Sequence, residues 1–389
     1  MAKAYITPGV YINEISKFPP SVAEVETGIS LFIGYTEKAI ENGTGILQTP
    51  KQISSLLEYQ QYFGGAANAG ENFCLYESVQ LFFGNGGGDC YIISAGNYTN
   101  PVLLADLNNG LANSRNVRAS ILTVPDAVYL SVVADFFALQ QNMLKQCAEL
   151  LTQFAILNTM TPSTDVLTDI QQFRDGIGSV NLSYGAVYYP WLILASTKII
   201  PPCGAIAGVY AQTDRNRGVW KAPANTSVHG ISGLTNTITT DIQSSMNVHE
   251  SGKSVNAIRF FSGKGFLVWG ARTLNGNDNE WRYVSVRRFF IMAEESAKNA
   301  CLNFIFEPND VNSWVRAQAM IENYLTVLWR QGALQGTKPE HSFYVSIGLG
   351  KTMTALDILE GRMIVEIGMA AVRPAEFIIL RFTIKIQES

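Results

Sequence analysis

The chain of 389 residues carries a formal net charge of −4, and 47% of its residues are hydrophobic while only 15% are charged. A slightly acidic chain without a dense run of lysine and arginine is not expected to bind nucleic acid. The charged share lies below the roughly 25% that is typical of soluble proteins, which predicts that partner subunits cover much of the surface. A large enzyme with an extensive core would have a similar composition and stays an alternative.

Neither a membrane segment nor a secretion signal is predicted. No uninterrupted apolar run approaches the roughly 20 residues that a membrane helix requires, and the N-terminal sequence lacks an apolar secretion segment. We therefore expect synthesis in the cytoplasm, no insertion into a membrane, and any release by lysis or as part of an assembled particle. The five cysteines are widely spaced without a C-x-x-C pair, which predicts reduced, mostly buried thiols and no metal or cofactor site.

Residues 1–20 are predicted to form an N-terminal arm. Thr7-Pro8-Gly9 favours a kink, and Phe18-Pro19-Pro20 stiffens the chain and blocks strand pairing. Between them lies one short alternating segment that predicts a strand, formed by Val10, Tyr11, Ile12, Asn13, Glu14 and Ile15. A strand isolated by prolines has few local neighbours, so it pairs either as an edge strand of its own domain or with another chain.

Residues 21–100 are predicted to mix strands and helices. The expected elements are a buried strand at Gly28–Tyr35, a helix at Thr49–Phe63 with Pro50 in its first turn, a helix at Phe73–Phe83 and a strand at Cys90–Ser94. The glycine cluster at 84–88 is not a dinucleotide fingerprint, because Asp89 stands where glycine is required and an apolar strand follows instead of a helix. It predicts a tight turn.

The next part of the chain alternates strands and helices, as in an α/β layer. Strands are expected at Ala119–Val124, Gln153–Leu157 and Tyr184–Leu194, and helices at Ser131–Leu151 and Asp165–Gly176. Strands that are separated by helices predict a parallel sheet with right-handed crossovers.

Residues 201–258 are predicted to be rich in loops, with short apolar pieces around a polar run at 213–218. Long irregular stretches in a compact protein tend to be functional or to lie in an interface. Within the run, Asp214 could pair locally with Arg215 or Arg217, or across subunits, and local pairing is favoured.

The closing part contains the strongest helix pattern, at Asp310–Arg330, where Asn309 or Asp310 can cap the start and Gly332 ends the helix. The later Gly350-Lys351-Thr352 resembles a phosphate-binding loop only locally. Such a loop needs a glycine where Val345 stands, so ATP binding is not expected.

The C-terminal residues predict one long apolar strand. It comprises Phe377, Ile378, Ile379, Leu380, Arg381, Phe382, Thr383, Ile384, Lys385 and Ile386. Alternate residues place isoleucine, leucine and phenylalanine on one face. An apolar strand of this length at a free terminus promotes aggregation unless it is covered. It is therefore either a central strand of its own domain or a strand that pairs with neighbouring copies.

The stretch Gly265–Phe290 sets four arginines inside apolar runs around a polar loop; they are Arg272, Arg282, Arg287 and Arg288. Arginine tolerates partial burial when its guanidinium finds carboxylates or carbonyls. Glu294, Glu295 and Glu307 are the nearest candidate partners in the sequence. Two interpretations stay open: these arginines mark an interface, or they only hold the fold together.

Several ordered motifs together resemble contractile tail sheath proteins of phages and of phage-tail-like injection systems. They are TPGVYINEI, YYPWL, AGVYAQTDRNRGVWKAPAN, VWGARTL, WRYVSVRR, FEPND and PAEFIIL, and they extend over nearly the whole chain. The resemblance implies a mixed α/β fold in four parts. These are an N-terminal linking arm (1–20), an N-terminal mixed part (21–100), a subtilisin-like α/β domain without a catalytic triad (101–258), and a C-terminal sheath core that ends in a linking strand (259–389).

A subtilisin-like domain requires a test for proteolysis. The chain has three histidines, at positions 229, 249 and 341, and none lies in a recognisable protease motif. The order Asp126, His229, Ser251 could supply a triad, but no local sequence supports it and no G-x-S-x-G motif occurs. We therefore expect a protein that is not an enzyme.

The resemblance implies the structural subunit of a contractile sheath. Such subunits form stacked hexameric rings around an inner tube, assemble in an extended metastable state and contract to drive the tube through a target envelope. The implied partners are further copies of the chain, the inner tube protein, baseplate proteins, terminator or cap proteins and sheath paralogues, with no cofactor. The alternatives are a sheath-related terminator or cap protein, an α/β hydrolase, or an ATPase that uses Lys351.

Overall fold

A computed structural model describes residues 22–68 and 70–377. The described chain forms two compact units: residues 24–295 with 371–377, called the first unit, and residues 296–370 with 22–23, called the second unit. The finer division into four parts stays a prediction. The mixed α/β fold class itself is confirmed, because helices and strands alternate along most of the described chain.

The first unit is built around a nine-stranded sheet with the order β11-β14-β13-β8-β7-β6-β1-β5-β4. In chain order its strands, including those of two small additional sheets, are β1 Ser30–Thr36, β2 Ile40–Glu41, β3 Thr44–Gly45, β4 Lys51–Ile53, β5 Cys90–Asn97, β6 Ile121–Thr123, β7 Phe154–Leu157, β8 Gly185–Tyr189, β9 Leu192–Ile193, β10 Ile199–Ile200, β11 Thr226–Ser227, β12 Gly233–Leu234, β13 Asn256–Phe261 and β14 Gly265–Val268. The run from β5 through β1, β6, β7 and β8 to β13 is parallel, as predicted. Antiparallel strands close both ends.

Helices cover both faces of this sheet. They are α1 Leu56–Phe63, α2 Leu75–Gly84, α3 Leu104–Asn113, α4 Val133–Leu150, α5 Val166–Gly176, α6 Cys203–Arg217, α7 Thr240–Asn247 and α8 Val284–Cys301, the last of which contains the division between the units. Alternation along β1 separates two cores: Leu31 and Ile33 pack with α3, α4 and α5, while Phe32 packs with α1, α2 and α6.

Most predicted elements of this unit are confirmed with small shifts. The expected strand at 28–35 is β1, the expected helices at 131–151 and 165–176 are α4 and α5, and Asp165 caps α5 through the amides of Leu167 and Thr168. The glycine cluster forms the connection from α2 to β5, as predicted.

The predicted start of the helix at Thr49 is wrong. Residues Lys51–Ile53 form β4, which pairs with β5 at the edge of the sheet. The helix begins after Ser55, whose hydroxyl accepts the Glu58 amide at 3.3 Å. The pairing energy of the sheet edge outweighs the local preference for a helix that starts at Pro50.

The prediction that residues 201–258 are rich in loops is wrong for Cys203–Arg217, which form the fifteen-residue helix α6. Most of its residues are buried, so no polar face reveals a helical period. Gly204 and Gly208 allow close packing on α2: a Cβ at Gly204 would lie 2.2 Å from the Ser78 carbonyl oxygen. The helix is therefore defined by tertiary packing.

The second unit contains α9 Val311–Arg330, β15 Phe343–Ser346, α10 Ala355–Leu359 and β16 Glu366–Met369. The prediction for α9 is confirmed: the Asp310 carboxylate accepts the Ser313 amide at 2.9 Å, and Gly332 follows the helix with φ +86°. β15 and β16 form an antiparallel pair. Gly350-Lys351-Thr352 lies in a turn before the five-residue α10.

All five cysteines are free, as predicted. Cys74, Cys90, Cys147 and Cys203 are buried, and Cys301 is partly buried. No helix in the described ranges has the length and apolarity to cross a membrane. Within those ranges no group of three or more potential metal ligands is present.

Candidate functional site

Both predicted linking strands fall largely outside the described residues. Val10–Ile15 and residues 378–386 are not described, and Phe377 is exposed without regular structure. The structure does describe the residues that adjoin these two terminal segments. We call residues 24–29 the N-terminal root and residues 371–377 the C-terminal root; both belong to the first unit.

The arginine-rich stretch forms a narrow hairpin-like turn that leads into α8. Arg272 and Tyr283 form an isolated antiparallel bridge, and the Val284 amide donates to the Ala271 carbonyl at 3.0 Å. Between them, the Asp278 carboxylate accepts the amides of residues 280 and 281, which closes the polar loop. The expected strand, loop and early helix are therefore present.

Arg272 clamps the C-terminal root. Its Nε donates to Glu376 Oε1 at 2.9 Å and its Nη2 to Glu376 Oε2 at 2.5 Å, while the Tyr283 hydroxyl donates to the same carboxylate at 3.3 Å. The arginine side chain is only 4% exposed. Burial opposes its charge, but Glu376 favours it more, so the pKa of Arg272 is raised. The pair fixes the root close to the point where the described chain ends.

Arg288 clamps the N-terminal root. Its guanidinium contacts Asp214 of α6 through two bonds of 2.9 and 2.6 Å, and it donates to the Thr27 carbonyl at 2.8 Å. The side chains of Arg288 and Asp214 are 3% and 5% exposed, and the guanidinium lies 4.7 Å from the centre of the Tyr210 ring. This is a bidentate, desolvated pair with an additional backbone acceptor.

The predicted local pairing of Asp214 is wrong, because its partner is Arg288, which lies 74 residues away. α6 directs Asp214 into the buried side of the unit, whereas the neighbouring Arg215 donates to the Gly86 carbonyl at 2.9 Å. Adjacent residues of a helix point in different directions and do not face each other.

The remaining two arginines hold the stretch together. Arg287 lies between the rings of Tyr184 and Trp281, at 4.4 and 4.2 Å, with Glu294 at 3.5 Å. Burial raises the pKa of Glu294, and the charge of Arg287 partly offsets this. Arg282 donates to the Asn279 side chain at 2.9 Å within the polar loop.

Three of the four predicted arginines are thus buried, and each has an acidic partner in its own chain. The sequence indicated Glu294, but Asp214 and Glu376 were missed because they lie 74 and 104 residues from their arginines. The contacts of two arginines with the roots were missed for the same reason. Whether the stretch also touches other subunits stays a prediction.

The residues of the conceivable triad do not meet. Asp126 is fully buried and accepts the amides of Tyr35 and Cys74, both at 2.6 Å, and burial raises its pKa to about 6. Ser251 contacts His249 at 2.9 Å. Asp126 therefore connects the end of β1 to the start of α2.

Family comparisons match most of the chain. Residues 96–274 match the phage tail sheath protein central domain, and residues 276–385 match the phage tail sheath C-terminal domain. A curated relative, the tail sheath protein of Vibrio phage KVP40, is 28% identical over 127 residues, which are 33% of this chain. That match spans 19% of the length of the relative.

Solved structures match nearly the full length. A chain of the helical sheath of the anti-feeding prophage, in its contracted state, is 34% identical, covers 98% of this chain and 99% of that chain, and has a TM-score of 0.75. A chain of the contracted sheath complex of the extracellular contractile injection system PVC is 33% identical, with 98% of each chain covered and a TM-score of 0.75. The chain belongs to the contractile tail sheath family and is a sheath subunit.

Proposed function

We propose that this subunit polymerises into stacked six-fold rings around an inner tube and that contraction of the sheath drives the tube through a target envelope. The observation that carries the proposal is the likeness over 98% of the chain to a subunit of a contracted helical sheath. The partners we propose are further copies of the chain, an inner tube protein, baseplate and terminator proteins, and sheath paralogues. The role is structural, without catalysis.

The links between copies are the two terminal segments. We propose that Val10–Ile15 and Phe377–Ile386 each pair as strands with neighbouring copies. Main-chain hydrogen bonds hold such a link together while the chain beside it bends. The bending points are Phe18-Pro19-Pro20 at one end and residues 371–374 at the other. Both roots are clamped in the first unit, which supports their use as points of attachment.

The receiving surface for these links is the pair β15–β16. It is a two-stranded sheet of four-residue strands, and among the described residues each strand pairs only with the other. Such a pair is marginally stable alone, and its open edges offer unpaired amides and carbonyls. Added strands from neighbouring copies would complete the sheet.

Contraction requires that each subunit pack against its neighbouring subunits in two different arrangements. Differences of a few kcal/mol per subunit are the usual scale that separates two packings of one chain. Summed over many subunits, this free energy drives the movement. The links keep the subunits connected while their compact units change neighbours.

Negative-stain electron microscopy of the purified chain tests the proposal. The full chain is expected to form long hollow cylinders with helical striations. A variant that lacks residues 1–15 is expected to fold, by circular dichroism, and to stay monomeric. A variant that lacks only residues 1–6 keeps Val10–Ile15 and serves as the matched control that still polymerises. Normal sheaths from the longer deletion would exclude the N-terminal link, and a persistent single ring from the full chain would instead indicate a cap protein.

A further inference from the structure

We propose that residues 271–288, called the tension stretch, carry the force that passes between the two links of each subunit. This inference rests on the proposed function, in which both terminal segments connect neighbouring copies. It assigns to Arg272 and Arg288 the role of positioning residues that hold the roots under force.

Both roots bind the same short stretch. The C-terminal root binds through Glu376, which accepts two bonds from Arg272 and one from the Tyr283 hydroxyl. The N-terminal root binds through the Thr27 carbonyl, which accepts from Arg288 at 2.8 Å. Force that enters at the C-terminal root therefore reaches the tension stretch first, whereas force at the N-terminal root divides between Arg288 and β1, which begins at Ser30.

The two clamps are also close together along the tension stretch. The bridge between Arg272 and Tyr283 joins its two sides, and the amide of Val284, the first residue of α8, bonds to Ala271. Arg288 follows Val284 by four residues, which is about 6 Å along a helix. The path from root to root thus crosses two guanidinium groups, one bridge and about one helical turn.

The tension stretch itself is fixed in the core. Leu274 and Val284 are fully buried, and the Leu274 amide donates to the Gly185 carbonyl of β8 at 2.9 Å. The Asn256 side chain of β13 accepts the Arg272 amide at 2.7 Å and donates to its carbonyl at 2.8 Å. A segment that is packed and bonded in this way transmits force with little deformation.

The ion pairs that hold the two roots have a geometry that resists a pulling force. A bidentate pair of arginine and carboxylate has two parallel bonds of fixed direction, and lysine cannot reproduce that geometry. The first unit also contains a largely buried ion pair away from the roots, between Lys198 and Glu77 at 2.5 Å. It provides a matched control, because it is also partly desolvated but binds neither root.

Single-molecule force spectroscopy tests the inference by pulling the full chain from its two ends. Neutralising the carboxylate with Glu376→Gln replaces charge-assisted hydrogen bonds, which are roughly twice as strong as neutral ones, so the force of the first rupture should fall. Glu77→Gln should leave that force unchanged. An unchanged force for Glu376→Gln, or an equal loss for Glu77→Gln, would overturn the inference.

A second variant keeps the inference testable if the first one does not fold. A second measurement distinguishes failure of this inference from failure of the proposed function. If Glu376→Gln does not fold, Arg272→Lys keeps the charge, loses the two-pronged contact and should lower the first rupture force likewise; an unchanged force would overturn the inference. In sheaths, Glu376→Gln should give contracted cylinders that break into shorter pieces, and intact cylinders of full length would refute the role under force. The pulling measurement needs no polymer, so it reports on the two clamps separately from the deletion of residues 1–15, which reports on the links.

Discussion

The two units of the chain differ in how completely each one buries its apolar side chains. The first unit has a nine-stranded sheet that is buried on both faces, and its buried Arg272 and Arg288 pair with carboxylates. The second unit combines one long helix with a two-stranded sheet, and its surface displays several large apolar side chains, namely Leu302, Ile305, Phe306, Val311, Val315, Leu356 and Leu359. The first unit resembles an independent domain, whereas the described residues of the second, smaller unit leave a larger share of apolar side chains exposed.

Phe306 shows this difference most clearly. It is fully exposed and its φ is +67°, a conformation that costs a bulky residue free energy. Its loop is nevertheless fixed, since Glu307 pairs with Arg316 at 2.8 Å and Asn309 bonds to the Arg362 carbonyl at 3.0 Å. This exposed apolar side chain therefore contributes little to the packing of its own unit.

The largest expected effect comes from breaking a buried charge pair in the first unit. Asp214→Ala leaves Arg288 buried without its carboxylate, which should lower the free energy of unfolding by about 3–5 kcal/mol. Urea denaturation followed by tryptophan fluorescence measures the loss. In the second unit, Glu307→Ala removes the partner of the exposed Arg316 and should cost about 0.2–1 kcal/mol. Equal losses would abolish the contrast between the units.

The next effect is a pH dependence of opposite sign in the two units. Burial raises the pKa of Asp126 to about 6, so its protonated form stabilises the fold fully below about pH 4, and this contribution is lost as pH rises through about 6. Over that window the change should be about 3 kcal/mol. In the second unit, hydrogen bonds from Thr354 and the charge of Arg362 lower the pKa of Asp357 to about 2, so its contribution is lost as pH falls below about 4.

Asp126→Asn tests this prediction. The variant should remove the Asp126 part of the slope between about pH 4 and pH 6 in the free energy of unfolding, measured by urea titration at each pH. Asp357→Asn is the control, and it should leave that part of the curve in place while it changes the curve at lower pH. A slope that stays unchanged in Asp126→Asn would show that the buried carboxylate does not titrate there.

A smaller effect is expected from the close contact of α6 and α2. Gly204→Ala would place a methyl group 2.2 Å from the Ser78 carbonyl oxygen. The helices must separate, at a cost of about 1–3 kcal/mol. Gly84→Ala is the matched control, because a methyl group at that position would enter open space and alanine favours the helix. Thermal unfolding that ranks the two variants in the reverse order would contradict the packing.

The smallest effect is expected at the exposed Phe306. Phe306→Gly relieves the left-handed strain while it increases the entropy of the unfolded chain, so the net change should stay within about 1 kcal/mol. Phe289→Ala, in the core of the first unit, should cost about 3–5 kcal/mol. Urea denaturation compares them, and a large loss for Phe306→Gly would mean that this side chain supports its own unit after all.

The parts of the fold that could be predicted are those that local sequence patterns specify. The helix α9 has an apolar face, an aspartate cap and a terminal glycine, and all three features are local. The parallel sheet was predictable because apolar strands alternate with helical segments through residues 119–194. Resemblance in ordered motifs then indicated the family, which the comparisons confirmed.

The rest depends on contacts that are distant in sequence. α6 has no polar face because sheet and helix cover it on several sides, so its composition suggested a loop. The carboxylate partners of Arg272 and Arg288 are 104 and 74 residues away, and no spacing rule connects them. β4 forms because an edge of the sheet is available at β5. Each of these features is a property of the assembled unit.

The five cysteines differ in solvent accessibility, which makes selective labelling of one of them feasible. Burial raises the pKa of Cys74, Cys90 and Cys147, and Cys203 is equally enclosed, so none of these four sulfurs is accessible to a thiol reagent. Cys301 is partly open to solvent, and partial burial raises the pKa of its thiol as well. A maleimide dye applied to the unassembled chain at alkaline pH, which favours the thiolate, would therefore label Cys301 in preference to the four buried cysteines. The labelled chain would report the proposed polymerisation and contraction by fluorescence.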